Sequence, residues 1–357
     1  MSCRFFRFKF FIVSVLTVLA SVFTVEVSAA EILQSEFIYQ LDNGPTPSCH
    51  ASTIVETPEG TLIAAWFGGS AEGKDDVCIW LSRREKQDRG SDRVNGWSEP
   101  VRVAVGEEDG EQVPCWNPVL FQWRDGPLVL FYKVGRDIDW WRGEMLISRD
   151  DGKTWGEKER LPEFFVGPVK NKPIQLVDGS LLAGSSMEYG FWRVHVETTP
   201  GFGKTWSRTA ALHSKEEGEA IQPTILTYAD GRIQLLCRND NDKSGKIWQF
   251  WSEDGGKTWG KMRPTDLPNP SSGIDAVSLS DGRQLLVFNP TNSSTGDRAI
   301  LTTATSTDGE HWSELINLER HDDGEYSYPS VIQSADGHVH ILYTWQRRAI
   351  RHVELIP

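Results

Sequence analysis

The sequence contains few cysteines, and none lie at the spacing that binds zinc or supports thiol exchange. One of the five, Cys3, lies in the first ten residues. The other four are far apart along the chain: Cys49, Cys78, Cys115 and Cys237. The absence of a C-x-x-C pair argues against a zinc or redox motif. An oxidising compartment would permit disulfides, and buried free thiols fit equally well. We therefore expect no metal ion and no cofactor.

Positive charge is also scarce. The chain carries 37 Lys and Arg against 50 Asp and Glu, a net charge of −13. Nucleic acids and anionic membranes attract proteins by phosphate neutralisation, and that interaction would be repulsive here. We therefore expect no nucleic-acid partner. An anionic ligand would need a local basic pocket.

Only one apolar run is long enough to suggest a membrane, and it lies at the N-terminus. Three basic residues precede this run, which spans 10–25, and small residues follow it: Arg4, Arg7, Lys9, then Val27, Ser28 and Ala29. This is the pattern of a secretory signal peptide, with an uncleaved anchor as the alternative. We predict a signal peptide at 1–30 and export to the periplasm or the cell exterior. After cleavage, the domain at 31–357 would not insert into a membrane, and we expect it to be a monomer.

Convincing amphipathic helices are missing from the remainder, where short apolar runs alternate with glycine turns. One motif recurs six times: an apolar run, then Asp-Gly or Glu-Gly, then a second apolar run. Its glycines are Gly60, Gly126, Gly179, Gly231, Gly282 and Gly337. Each copy predicts a β-hairpin, because glycine accepts the positive φ of a tight turn. Six copies at a period near fifty residues predict an all-β fold, a six-bladed β-propeller with four-stranded antiparallel blades.

A second motif falls between the hairpins. Ser148–Trp155 and Ser252–Trp259 both fit the pattern S-x-D-x-G-x-T-W. Degraded or stretched copies keep the same period: Thr199–Trp206, Thr305–Trp312 and a copy ending at Trp97. The aspartate can accept backbone N–H bonds across a tight turn, and the tryptophan can pack between blades. We interpret this motif, the Asp box, as structural rather than catalytic.

The Asp boxes, their period and the six hairpins resemble the sialidase (neuraminidase) superfamily over residues 40–357. Members of that superfamily use three arginines for the substrate carboxylate, a tyrosine nucleophile backed by a glutamate, and an aspartate acid/base. The resemblance implies a glycoside hydrolase of exo-α-sialidase type that removes a terminal acidic sugar. Its partner would be an acidic glycan or oligosaccharide substrate.

Strand direction predicts which end of the propeller carries the chemistry. Suppose that Asp-Gly turns join the first and second strands of each blade, and that Asp boxes join the third and fourth strands. Both kinds of turn then lie at the same end of the propeller. Residues that begin a first strand or follow a second strand then surround the opposite mouth of the channel. Polar and aromatic candidates for substrate contact at this end are Asn117, Lys172, Gln222, Asp275, Tyr328 and Trp141. The Trp140-Trp141 pair is also a candidate platform for stacking a sugar ring.

The resemblance assigns roles to particular residues. Arg238 and Arg298 match two of the three arginines, and guanidinium groups bind carboxylates bidentately. Tyr326, followed by serine, matches the nucleophile. Asp75 or its neighbour Asp76 stands where the acid/base aspartate is expected.

Two positions depart from the superfamily pattern. His50 stands where the first arginine is expected, and an imidazole titrates near neutrality, so it is a candidate acid/base. Gln222 stands where the activating glutamate is expected, and an amide cannot take a proton. Glu219 and Glu188 are the candidate substitutes. These departures leave two alternatives open: a propeller hydrolase or lyase that acts on uronic-acid polysaccharide through His50, and a non-catalytic glycan-binding propeller.

Overall fold

The computed structural model describes residues 1, 30–86, 96–240, 244–292 and 297–357. Residues 2–29, which hold most of the predicted signal peptide, lie outside this set. Among the described residues, no helix has the length and apolar character needed to cross a membrane. The described part of the chain is all β and contains no α-helix.

Six antiparallel sheets form the blades, and each blade packs against the next in a ring. The first strand of the chain, β1 (Glu31–Phe37), belongs to the last blade. Blades 1 and 2 contain β2 (Ser48–Glu56), β3 (Leu62–Gly69), β4 (Cys78–Arg84), β5 (Val101–Glu108) and β6 (Glu111–Val113), then β7 (Cys115–Gln122), β8 (Leu128–Val134), β9 (Arg142–Ser148) and β10 (Glu159–Arg160). Blades 3 and 4 contain β11 (Ile174–Gln175), β12 (Leu181–Met187), β13 (Arg193–Thr199) and β14 (Ser207–Arg208), then β15 (Ala220–Thr227), β16 (Ile233–Asn239), β17 (Lys246–Ser252) and β18 (Arg263–Pro268). Blades 5 and 6 contain β19 (Asp275–Ser278), β20 (Gln284–Phe288), β21 (Ile300–Ser306) and β22 (Ser313–Arg320), then β23 (Tyr326–Gln333), β24 (Val339–Trp345) and β25 (Ala349–Ile356).

The predicted six-bladed β-propeller is therefore confirmed. The two ends of the chain close the ring in blade 6, where β1 pairs antiparallel with β25 and Glu31 lies opposite Ile356. Blade 1 differs from the predicted four strands, because the short strand β6 folds back on β5 as a fifth.

All six predicted hairpins form, and in five of them the glycine takes a positive φ. Gly60 and Gly337, for example, have φ values of 82° and 89°. The second hairpin corrects the expectation for Gly126, because the positive φ of 56° falls on Asp125 instead. A short polar residue tolerates this left-handed conformation better than most side chains do.

The Asp boxes close tight turns as predicted. In blade 2, Asp150 accepts hydrogen bonds from the backbone N–H of Thr154 at 2.8 Å and from the Ser148 hydroxyl at 2.9 Å. Hydrogen bonds from the side chain and backbone of Thr154 lower the pKa of Asp150 to about 2. The Trp206 ring of blade 3 lies edge-on to Phe131 of blade 2, with ring centroids 6.2 Å apart.

Each gap between neighbouring blades is filled by one apolar cluster of the described residues. The gap between blades 2 and 3, for instance, contains Val119, Phe131, Leu181 and Trp206. Cys49, Cys78, Cys115 and Cys237 are buried free thiols, one of the two alternatives that the sequence left open.

The innermost strands of blades 1, 2, 4 and 6 each have a bulge near their first residues, and these bulges position the site. Ala51, Asn117, Gln222 and Tyr328 have φ values of 53°, 39°, 55° and 53°, and the strand register shifts at each of them. Lys170 of blade 3 lies just before strand β11 and also has a positive φ, of 69°. A bulge redirects a side chain, and non-glycine residues with positive φ are uncommon. We call these five positions the bulge layer.

Candidate active site

Tyr328, from the bulge layer of blade 6, contacts side chains of blades 1, 3, 4 and 5. Its phenolic oxygen accepts hydrogen bonds from Nη1 of Arg238 at 2.7 Å and from Nε2 of Gln222 at 3.3 Å. The guanidinium carbons of Arg238 and Arg298 lie 5.9 and 5.7 Å from the centre of the Tyr328 ring. Positive charge thus surrounds the phenol of Tyr328.

Three arginines line this site. Arg298 and Arg347 both bind the Oε1 atom of Glu325, at 2.8 and 3.0 Å. Burial alone would raise the pKa of Glu325, but its bonds to Arg347 and the charge of Arg298 outweigh burial and lower it. The Arg238 guanidinium is held by the Ser271 hydroxyl at 3.2 Å. Carboxylate and hydroxyl partners therefore fix all three guanidinium groups in place.

His50 lies beside Tyr328, and their ring centroids are 4.0 Å apart. The imidazole is 1% exposed, and its Nδ1 atom lies 2.9 Å from the Thr344 hydroxyl. Its Nε2 atom has no hydrogen-bond partner among the described residues. Burial, reinforced by the charges of Arg347 and Arg298, lowers the pKa of His50 well below its usual value. A neutral imidazole is therefore packed against the phenol, where the resemblance predicted an arginine.

Lys170 spans the channel beneath Tyr328. Its ammonium group donates to the backbone oxygens of Ile274, at 2.6 Å, and of Pro329. Burial lowers the pKa of Lys170 to about 7. A Cβ atom on Gly273 would lie 3.2 Å from the Lys170 side chain and 3.3 Å from the Tyr328 ring. Because Gly273 of blade 5 has no side chain, Lys170 of blade 3 and Tyr328 of blade 6 can pack against it.

The predicted substrate contacts Lys172 and Asp275 instead bind each other. Nζ of Lys172 lies 2.8 Å from Oδ2 of Asp275. The same carboxylate accepts the Thr224 hydroxyl and the Val331 backbone N–H, both at 2.8 Å. These bonds connect four blades across the channel, and the substrate contact predicted for the pair stays a prediction.

Glu188 follows strand β12 at the mouth, close to Arg238. Burial raises the pKa of Glu188 to about 7, although the charge of Arg238 opposes the shift. Three further carboxylates reinforce it: Asp139, Asp240 and Glu72. A carboxyl group in this range can both give and take a proton near neutral pH.

The backbone N–H of Tyr326 donates to the carbonyl oxygen of Arg298 at 3.0 Å, but the described contacts of its side chain are with other residues. Its ring is 4% exposed, stacks on His321 at 4.6 Å, and accepts a hydrogen bond from Gln346 at 2.8 Å. It belongs to the apolar cluster between blades 5 and 6. The nucleophile role predicted for Tyr326 stays untested, but the contacts favour Tyr328.

The other predicted catalytic carboxylates have partners in surface loops. Asp75 pairs with Arg136 at 3.2 Å, and both side chains are about half exposed or more. Asp76 accepts the backbone N–H and the hydroxyl of Ser70, each at 2.9 Å. The Glu219 carboxylate lies 3.9 Å from the exposed Lys215. None of these contacts leads to Tyr328.

Two remaining candidates, Asn117 and Trp141, are buried at the end of the propeller opposite the hairpin turns. Asn117 is the bulge-layer residue of blade 2. Trp141 packs edge-on against Trp116, with ring centroids 6.2 Å apart. Trp140, its neighbour in sequence, is 69% exposed, so the two tryptophans do not form one platform.

Sequence reasoning missed Arg347, Glu325 and Glu72. Arg347 follows the second strand of blade 6, the same relative place that Arg238 occupies in blade 4, so the strand-direction rule could have found it. Glu72 forms an ion pair with Arg347 from the loop after strand β3. That contact joins residues 275 positions apart, and nothing in the sequence pattern predicts it.

The opposite end of the propeller holds a cavity of about 900 Å³ between the hairpins. Its lining includes Phe121, Trp123, Val177 and Tyr228. Two arginines, Arg124 and Arg232, also line it. Among the described residues, no group of three or more His, Cys, Asp or Glu could hold a metal ion at either end.

Residues 60–341 match the family model described as a BNR repeat-like domain. The chain belongs to that family. No curated protein matches the chain. This BNR repeat-like domain is, however, similar in structure to several solved proteins at low sequence identity.

One of these is a protein of unknown function from Dyadobacter fermentans, with a TM-score of 0.73, 15% identity and coverage of 92% of this chain and 100% of that one. The Hadza microbial sialidase Hz136 has a TM-score of 0.70 and 18% identity, covering 90% of this chain and 68% of that one. Trypanosoma rangeli sialidase in complex with sialic acid has a TM-score of 0.66 and 15% identity, covering 92% and 59%. At these identities the similarity establishes a sialidase-like propeller fold.

Proposed function

We propose that this protein is an exo-acting glycoside hydrolase that removes a terminal carboxylated sugar from a glycan, with Tyr328 as nucleophile. The observation that carries the proposal is the 2.7 Å hydrogen bond from Arg238 to the phenolic oxygen of Tyr328. A tyrosine oxygen between guanidinium groups is suited to attack an anomeric carbon that carries a carboxylate, because the same cations bind that carboxylate.

The substrate carboxylate binds Arg238, Arg298 and Arg347. Glu325 holds two of these groups and Ser271 holds the third, so little conformational entropy is lost when the ligand binds. Carboxylate recognition by several fixed guanidinium groups is both strong and directional.

Glu188 is the proton carrier in this proposal. With a pKa of about 7 it holds a proton for part of the time at neutral pH, which a general acid requires. Its position at the mouth puts it on the side from which a leaving group departs.

The reaction proceeds in two steps. The Tyr328 oxygen bonds to the anomeric carbon while the bond to the leaving oxygen breaks and Glu188 protonates that oxygen. The hydroxyl proton of Tyr328 passes to cavity water, because the amide of Gln222 cannot accept it. Glu188, now a carboxylate, then takes a proton from the water that attacks the anomeric carbon while the bond to the Tyr328 oxygen breaks. The released Tyr328 oxygen regains a proton from water, and the anomeric configuration is retained.

Turnover of aryl glycosides tests the proposal. We expect the wild type to release the aryl alcohol from an aryl glycoside of a nonulosonic acid, whose carboxylate is on the anomeric carbon, and not from the matching neutral aryl glucoside. Turnover of an aryl glucuronide alone would favour the uronic-acid alternative. Saturable binding of carboxylated glycans without turnover of any would instead identify a binding protein.

The proposed setting of this reaction is outside the cytoplasm. The basic, apolar and small-residue segments of residues 1–30 support export. N-terminal sequencing of the protein recovered from its native host tests this, and a start near residue 31 is the expected result.

A further inference from the structure

Two aromatic side chains are exposed beside the mouth of the channel. Trp140, between β8 and β9, is 69% exposed, and Tyr189, between β12 and β13, is 47% exposed. Their ring centroids are 4.5 Å apart and the rings are tilted by 48°. Together they present more apolar surface than an isolated exposed side chain, and such rim patches mark binding surfaces.

The surrounding structure holds this pair next to the proposed acid. Tyr189 directly follows Glu188, and Asp139, whose charge acts on Glu188, directly precedes Trp140. Trp141 is buried against Trp116 and fixes the loop from behind. The burial of Trp141 therefore keeps its neighbour Trp140 on the surface.

The charge changes sign between the floor of the site and this mouth. The floor is cationic because it holds Arg238, Arg298 and Arg347. The groups around Glu188 at the mouth are acidic: Asp139 and Asp240, with Glu72, which pairs with Arg347. A ligand complements this arrangement when its anionic group enters first and the part left at the mouth is neutral. A polyuronate carries a carboxylate on every unit and would meet like charges at the mouth.

We infer that Trp140 and Tyr189 form a subsite for a neutral pyranose, the sugar that leaves when the terminal acidic sugar is cleaved. A pyranose presents a C–H face that packs on aromatic rings, and its hydroxyls can donate to the nearby Asp139 carboxylate. The orientation of the ligand rests on the proposed function, whereas the binding of a neutral sugar at this pair does not.

Nuclear magnetic resonance of the tryptophan indole N–H groups tests binding directly. The Trp140 signal is identified by its loss in Trp140→Phe, and the protein is titrated with lactose, maltose and cellobiose. We expect at least one disaccharide to shift this signal saturably, and Tyr189→Ala to weaken that binding about tenfold. Phe164→Ala is the matched control, because Phe164 is also 69% exposed and lies between β10 and β11. No shift with any of the three sugars, or an equal shift with oligogalacturonate, would overturn the inference.

Kinetics then separate this inference from the proposed function. Two substrates are compared: the terminal acidic sugar attached to a neutral oligosaccharide, and the methyl glycoside of the same acidic sugar. Trp140→Ala should raise the ratio of the oligosaccharide KM to the methyl-glycoside KM about tenfold, and Phe164→Ala should leave this ratio unchanged. An unchanged ratio in Trp140→Ala would refute the subsite while the proposed function stands. Disaccharide binding at Trp140 in a protein that turns over neither substrate would refute the proposed function while the subsite stands.

Discussion

Nη1 of Arg238 lies 2.7 Å from the phenolic oxygen of Tyr328, although the two residues are 90 positions apart and belong to blades 4 and 6. Tyr328 reaches this place because it is on a bulge with a φ of 53°. The strained backbone and the charged partner support the role proposed for Tyr328.

The two neighbouring tyrosines supply a matched pair of variants. Tyr328→Phe removes the attacking oxygen, and we expect kcat to fall by about 1,000-fold or more. Tyr326→Phe removes only the hydrogen bond from Gln346 and should change kcat by less than about threefold. Turnover of an aryl glycoside, with circular dichroism to check folding, measures both. The reverse order of the two effects would restore Tyr326 as the nucleophile.

Arg347 and Arg348 form a second matched pair. Arg347 binds Glu325 in the site, whereas Arg348 is half exposed and pairs with Asp42. Arg347→Ala should lower kcat/KM about 10- to 100-fold, because a charge-assisted contact to the substrate carboxylate is lost. Arg348→Ala should have no measurable effect. Steady-state kinetics measure both, and equal values for the two variants would remove Arg347 from the substrate site.

The pH dependence of kcat/KM tests Glu188. A general acid acts in its protonated form, so activity should fall as the pH rises through about 7, where this carboxyl loses its proton. Glu188→Gln should remove that limb together with most of the activity on substrates with poor leaving groups. An unchanged high-pH limb in Glu188→Gln would assign the acid to another residue.

The Asp boxes should affect stability and not catalysis. Asp254 accepts hydrogen bonds from the side chain and backbone of Thr258, and these lower the pKa of Asp254 to about 2. Its contribution is therefore complete above the unfolded-state pKa and is lost as the pH falls towards 2. Asp254→Ala should lower Tm at pH 7 by a few degrees, and the difference from wild type should shrink on acidification.

Asp266→Ala is the control for that variant, because the Asp266 side chain is 98% exposed on a neighbouring strand and makes only a loose ion pair with Lys246. Its Tm should match wild type. Differential scanning calorimetry of both variants at several pH values gives the comparison. A loss of turnover in Asp254→Ala without a loss of Tm would contradict the structural role.

The repeated features were predictable because each is local. The hairpin at Gly231 and the box at Ser252–Trp259 need only a turn residue and a few neighbours, so sequence patterns reveal both. Arg238 could be assigned to the correct end of the propeller by strand direction alone.

The details of the site depend on long-range geometry. Tyr326 and Tyr328 are two residues apart, and in a regular strand they would face the same side. The bulge at Tyr328 breaks that alternation, and no sequence signal marks it. The Arg347–Glu72 ion pair depends on how blade 6 meets blade 1, which becomes visible only when the ring closes.

Covalent trapping on Tyr328 tests the central claim most directly. A fluorinated analogue of the terminal carboxylated sugar slows the second step, so the glycosyl-enzyme accumulates and can be located by fragmentation mass spectrometry. The account predicts one added sugar, on the Tyr328 oxygen, and none in Tyr328→Phe. An adduct on Tyr326 or on a carboxylate, or turnover with inverted anomeric configuration and no adduct, would contradict it.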